Sequence, residues 1–181
     1  LASDPVAAHL KGSPTTAVYR HDFASITGYL HHRPPYLLLK SIIDLQPDVC
    51  TALAEVSDVA PLLAGHFPGA PILPGALMQE MTTQTAGVLI AGRHNPMREY
   101  NTDDPDFNPY ALGVLVRVKS ARYRGFARPG DCLQIRVLLE CRIDQVFDFA
   151  GQITCRGATI MKNRFQLANI PTAQLKGDVP G

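Results

Sequence analysis

The chain has 181 residues, 46% of them hydrophobic and 18% charged, a balance that suits one soluble globular domain with a real core and excludes a disordered chain. A formal net charge of +1 speaks against a nucleic-acid surface spread over the whole protein. No stretch is apolar for long enough to cross a bilayer, and the opening LASDPVAAHLKGSPTT has no signal-peptide core.

The four cysteines, Cys50, Cys132, Cys141 and Cys155, include no CxxC pair. Three sit in strand-like runs, where a free thiol acts as a small apolar side chain. A disulfide framework is not expected without secretory signals, so the expected compartment is reducing cytoplasm.

Residues 1–21 carry Pro, Ser, Gly and Thr without a period and read as a loose arm; 22–170 read as one domain and 171–181 as a tail. In DFASITGYL, Asp22 suits a helix N-cap, with Phe23, Ile26 and Leu30 on one face. HHRPPY ends that helix, because Pro34 and Pro35 forbid its continuation. YLLLKSIIDL reads as a mostly buried strand and VCTALAEVSDV as a second, half-exposed one.

After the loop GHFPGAPIL, the run PGALMQEMTTQTAGVLIAG predicts a helix over 74–91. Pro74 suits its first position and Gly92 the position just past its end. Such a helix is roughly 27 Å long. Leu77, Met78, Met81, Thr85, Val88 and Leu89 recur near helical spacing, yet the opposite side is Thr, Gln and Ala rather than charged. That pattern predicts an enclosed helix wrapped by a sheet. Residues 93–110 are rich in Asn, Asp and Pro and read as an exposed, mobile loop. From 111 onward the period becomes two, with hairpin turns at ARPGD and Arg156-Gly157, so about four strands follow. Two strands, one long helix and four more strands make an α+β chain.

The sequence has no GxxxxGK[ST] phosphate loop, no strand-linked GxGxxG and no GxSxG elbow. No two histidines are spaced for a helical metal face, and no EF-hand or glycosidase-like carboxylate pair is present. His66 and Glu80 remain. His66 lies in a loop stiffened by Pro68, Pro71 and Pro74, which fixes a side chain at little entropic cost. Gly75 falls in the first helical turn, where the backbone N–H has no intrahelical partner and the dipole favours negative charge. Glu80 sits further in, near Met78 and Met81, where desolvation raises a carboxyl pKa and lets it act as an acid.

A base, an acid and an oxyanion donor are the parts needed to remove a proton beside a carbonyl and expel water. The alternative is structural: His66 bonds loop backbone and Glu80 satisfies a buried donor such as a Thr or Gln84. The residues alone leave both open.

GHFPGAPILPGALMQEMTTQ closely resembles the active-site motif of the beta-hydroxyacyl-(acyl-carrier-protein) dehydratases, the FabZ/FabA hot-dog family. The motif GHFPGxPxxPGxxxxE, followed four residues later by Gln, is matched by Gly65, His66, Phe67, Pro68, Gly69, Pro71, Pro74, Gly75, Glu80 and Gln84. LHHRPPYLLL resembles the family's LPHRxPFLL, with His32, Arg33 and Pro35 in place. ARYRGFARPGDCL resembles its RFxxxVxPGDxL turn through Arg122, Tyr123, Pro129, Gly130, Asp131 and Leu133.

The resemblance implies a hot-dog fold, a long central helix wrapped by a curved antiparallel sheet. It implies a homodimer, with a trimer of dimers as a further option, whose two sites each take His66 from one subunit and Glu80 from the other. On this likeness His66 takes the C2 proton of a 3-hydroxyacyl thioester, Glu80 handles the departing hydroxyl and the Gly75 N–H holds the thioester oxygen. Phe67, Leu73, Pro74, Leu77 and Gln84 would line the substrate tunnel. Glu at position 80 leans toward the FabZ branch, without isomerisation. The dehydratase chemistry that the resemblance implies needs neither metal nor redox cofactor.

Arg122, Arg124 and Arg128, together with Arg93, Arg98 and Lys119, are candidates for binding an acyl carrier protein; the carrier could equally be coenzyme A. Departures from the family pattern are His31 for a proline, Lys40-Ser41 for an Asp-Arg pair, Gly125-Phe126 for Arg-Pro, and a longer 93–110 loop. The first Lys40 expectation is a lost salt bridge. Tyr100, Phe107 or Tyr110 could fold over the tunnel mouth. Alternatives are a hot-dog thioesterase, with Glu80 activating water, and a non-catalytic acyl-thioester-binding subunit.

Overall fold

The two-residue period after Tyr110 becomes long strands in the computed structural model, which describes residues 25–63, 65–104 and 106–176. The strands are β1 (Ser41–Leu45), β2 (Val49–Glu55), β3 (Tyr110–Tyr123), β4 (Cys132–Ile143), β5 (Val146–Cys155) and β6 (Ala158–Pro171). They form one antiparallel six-stranded sheet in the order β1-β2-β4-β5-β6-β3. Alternation decides the faces: on β4, Leu133, Ile135, Val137 and Leu139 are buried while Gln134, Arg136 and Glu140 are exposed. The inner face carries Phe147, Phe149 and Phe165, stacked with centroids 6.4 and 5.7 Å apart.

Against that face lies α2 (Gly75–Arg93), touched by β2 through β6. Every residue from Met81 to Gly92 is buried, the hot-dog arrangement that the resemblance implies. A helix enclosed all round must find partners for its polar side chains. Thr82 and Thr83 donate to the Gln79 carbonyl at 2.7 and 3.1 Å, and Thr85 donates to that of Met81 at 2.8 Å. Asn163 on β6 donates to Gln79 Oε1 and Thr82 Oγ1, both at 2.8 Å. Its cross-strand partner is Gly151, where a Cβ would stand 2.2 Å from Asn163 Oδ1. Only glycine leaves that amide its place.

Boundaries differ from expectation in physically readable ways. Pro74 is the N-cap and Gly92 lies inside the helix, which stops at His94 with its N–H on Ile90 O. Arg93 donates to the Leu45 carbonyl at 2.6 Å, a cation at the helix C-terminus. YLLLKSIIDL is strand only from Ser41, because Leu38 gives its N–H to the Gln84 side chain instead of a neighbouring strand. VSDV is a 3-10 turn (Val56–Val59) leading to α1 (Ala60–Leu63). Asp22 and Phe23 lie outside the described residues, and Ile26–Gly28 is a 3-10 turn. α3 (Thr172–Lys176) follows β6. Lys40 gains an ion pair with Glu55, so the local salt bridge is replaced rather than lost.

The described residues of 93–110 carry a hydrogen-bond network that their composition does not announce. Asn95 and Asn108 are buried in it. Asn108 bonds both ways with the Asn101 backbone, and Asn95 Oδ1 accepts from Met97 N–H. Thr102 Oγ1 donates to the Thr27 carbonyl and Tyr100 Oη to that of Tyr29 at 2.9 Å, so Tyr100 is committed to the fold rather than to a tunnel mouth. Asn and Asp here substitute for backbone partners in consecutive turns. All four cysteines are free, with Cys50 and Cys155 buried. No described helix is long and apolar enough to cross a membrane.

Candidate active site

The loop before α2 is closed at both ends by backbone bonds, His66 N–H to Leu63 O at 2.9 Å and Leu73 N–H to Ala127 O at 2.8 Å. Its turn places Phe67 at φ +50°, a left-handed backbone unusual for an aromatic residue. Inside this frame His66 Nδ1 lies 3.1 Å from the Ile72 carbonyl. A carbonyl only accepts, so Nδ1 carries the hydrogen and the neutral ring presents a lone pair on Nε2. The loop-backbone contact considered for His66 is therefore compatible with an Nε2 that can accept a proton. The Phe67 ring packs edge-on against it at 4.6 Å.

Glu80 lies on α2 with its side chain 17% exposed. Burial pushes its carboxyl above the ordinary range, and the hydrogen bond from Gln84 opposes that shift in part. Gln84 Nε2 donates to Glu80 Oε1 at 3.0 Å and to the Tyr36 carbonyl at 2.8 Å, while its oxygen accepts from Leu38 N–H at 2.9 Å. His32 Nε2 stands 3.6 Å from the same Glu80 oxygen. Sequence reading placed His32 in a motif but gave it no role; only the packing of 30–38 onto α2 brings it here.

Gly75 opens the helix, where the first backbone N–H groups lack intrahelical partners. A Cβ on Gly75 would stand 3.0 Å from the Tyr123 ring, so glycine lets that ring lie against the helix N-terminus. Within the chain no hydrogen bond or ion pair joins His66 to Glu80.

Of the residues expected to line a tunnel, Phe67 is exposed and Pro74 and Leu77 are half-buried. Leu73 and Gln84 are more enclosed. Leu73 is 2% exposed and packs in the core, and the Gln84 amide is committed to Glu80, Tyr36 and Leu38. An apolar cavity of about 290 Å³ lies beside the His66 loop, lined by Ala60, Leu63, Phe67, Pro68, Pro71 and Pro129 among others.

The basic residues divide. Arg93 serves the helix end, Lys119 pairs with Asp148 at 2.7 Å, and Arg128 lies over the Phe126 ring at 5.8 Å. Arg122 and Arg124 instead line a groove of about 410 Å³ on the outer sheet face, with Arg136, Lys162 and Arg164. Those last three were invisible without the strand order: register places Arg136, Gln152, Lys162 and Arg122 in one row across four strands. Among the described residues no group of three or more His, Cys, Asp or Glu could hold a metal ion.

The FabA-like domain family matches residues 30–164. The 3-hydroxyacyl-[acyl-carrier-protein] dehydratase FabZ of Solibacter usitatus is 32% identical over 139 residues, 77% of this chain and 79% of that protein. The protein of the same name from Rickettsia massiliae is 26% identical over 145 residues, 80% of this chain and 92% of that one. Among solved structures, the dehydratase heterocomplex ApeI:P from Xenorhabdus doucetiae superposes with a TM-score of 0.71 at 22% identity, over 88% of this chain and 100% of that one. A hypothetical thioesterase with coenzyme A from Streptococcus pneumoniae gives 0.52 at 13% identity, over 72% and 85%. At these identities the two structures speak for the shared fold alone.

Proposed function

The chain belongs to the FabA-like domain family, and on that footing we propose that it is a hydro-lyase that converts a 3-hydroxyacyl thioester to the trans-2-enoyl thioester in fatty-acid or related acyl-chain biosynthesis. The observation that carries the assignment of roles is the opposite preparation of two groups. His66 is fixed with Nε2 free to accept a proton, while burial favours the neutral, proton-bearing form of Glu80.

His66 Nε2 takes the C2 proton, the C2–H electron pair becomes the C2–C3 double bond, and the C3–O bond breaks. Glu80 gives its proton to the leaving oxygen, which departs as water. The Gly75 N–H at the helix N-terminus faces the thioester oxygen as it gains charge. Reset moves a proton from the His66 imidazolium to the Glu80 carboxylate by way of solvent.

By resemblance to the family's motif, each site takes His66 from one subunit of a homodimer and Glu80 from the other. The edge strand β3, with Leu115, Val116 and Val118 exposed, is the surface for pairing with a second copy. An acidic carrier protein suits the outer groove. Lys162 and Arg122 stand directly opposite each other, a like-charge pairing unfavourable in a sheet without an anion. With three strand spacings the row spans about 14 Å. Phe67, Pro74 and Leu77 are the proposed contacts of the acyl chain, and the cytoplasm is the proposed compartment.

Supplying 3-hydroxyacyl thioesters and following enoyl absorbance together with free thiol tests the reading. Enoyl product without thiol release is expected; thiol without enoyl product would make the chain a thioesterase.

A further inference from the structure

Both polar neighbours of Glu80 address one of its oxygens. Gln84 Nε2 donates to Oε1, and His32 Nε2 stands 3.6 Å from that atom. The Gln84 amide cannot be turned round, because Leu38 N–H gives to its oxygen and its nitrogen gives to the Tyr36 carbonyl. Oε1 is thereby fixed as an acceptor, and the proton of the neutral carboxyl belongs on Oε2.

His32 Nδ1 is buried and has no hydrogen-bond partner among the described residues. An orphaned buried N–H is costlier than an orphaned lone pair. The neutral ring therefore carries its hydrogen on Nε2, aimed at Glu80. Its plane is set by a stack on Tyr36, 5.9 Å between centroids at 23°. Its backbone is held by Arg33, which donates to the carbonyls of His32 at 2.9 Å and Leu30 at 2.8 Å. Burial first, then the neighbouring charges of His31 and Arg33, keep His32 below the usual histidine range. Tyr36 is the other titratable group influenced by Glu80.

We propose that His32 is a positioning residue for Glu80, its Nε2–H closing onto Oε1 as Oε2 gives its proton to the leaving hydroxyl. The inference rests on the reading of Glu80 as the acid. At 3.6 Å the contact is too long to be a hydrogen bond to the neutral carboxyl. Charge-assisted bonds of this kind settle at about 2.7–2.9 Å, so the ring draws in when the carboxylate forms. The contact is thus stronger after proton donation than before it, which favours the transition state over the ground state. The proton on Nε2 stays on His32 throughout; the one transferred leaves Oε2 and ends on water.

His32→Phe keeps the stack on Tyr36 and removes the donor, while His32→Gln restores an amide N–H near the Nε2 position. His32→Phe is expected to lower kcat about tenfold with KM little changed, less than the loss of a proton-transfer group itself. In substrate-free protein the Glu80 carboxyl, followed by its infrared band, should titrate at higher pH in His32→Phe and return toward wild type in His32→Gln. That titration needs no turnover. A shifted Glu80 in a protein that never dehydrates would refute the dehydratase reading and support the His32 contact. Wild-type dehydration with kcat and titration both unchanged in His32→Phe would overturn the proposal. So would a folded His32→Gln that behaves like His32→Phe.

Discussion

Gln84 holds Glu80 at 3.0 Å with an amide whose orientation the Leu38 N–H and the Tyr36 carbonyl fix. Replacing Gln84 with Leu leaves those two backbone groups without their partner and removes a bond that favours the charged form of Glu80. Each buried orphan costs about 1–3 kcal/mol. Denaturation in urea should show a lower midpoint, and the limb of the kcat profile governed by Glu80 should move to higher pH. An unchanged midpoint would mean that water takes over both backbone groups.

The charged form of Glu80 works against stability. Burial holds its native carboxyl above the ordinary value of 4.5, so the native chain binds that proton more tightly than the unfolded chain does. Stability therefore falls as pH rises from 4.5 through the native value, and the loss is complete above it. Glu80→Gln removes a charge that burial disfavours. Its urea midpoint should exceed wild type at pH 8, and the difference should shrink as pH approaches 4.5. Equal midpoints across that range would show that the carboxyl is not strained by its surroundings.

Arg33 ties the 93–110 segment to the histidines. It donates to the Thr102 carbonyl at 3.1 Å and reaches Asp103 at 2.6 Å, besides the carbonyls of Leu30 and His32. Asp103 is 88% exposed, so the carbonyl bonds outweigh the ion pair. Arg33→Ala should speed amide hydrogen exchange in 95–104 and lower kcat, whereas Asp103→Asn should do neither. Arg33→Lys should recover little, since an ammonium cannot reach several carbonyls as a planar fork does.

Much of this was legible in sequence because it rests on local pattern. The two-residue period gave β3 to β6, and an uncharged far side announced that α2 is enclosed. His66, Gly75 and Glu80 stood out because a stiff loop, a helix N-terminus and a buried carboxylate are each local features. What was not legible depends on contacts distant in sequence. The bonds that tie the Asn-rich 93–110 segment were hidden because its partners, Thr27, Tyr29 and Arg33, lie some 70 positions away. Nothing local to Gln84 says that Leu38 spends its N–H on it. Arg136, Lys162 and Arg164 join Arg122 only through strand order, and Leu73 reads as a loop residue until Ala127 closes on its N–H.

The most direct measurement concerns the proposal that the site is shared between subunits. His66→Ala and Glu80→Gln should each lose enoyl-forming activity by about a hundredfold or more. Unfolded together in equal amounts and refolded, half of the dimers carry one subunit of each kind, and one of their two sites is then intact. The mixture should recover about a quarter of wild-type enoyl formation. A mixture as inactive as either variant alone, or full activity in either variant by itself, would contradict the account.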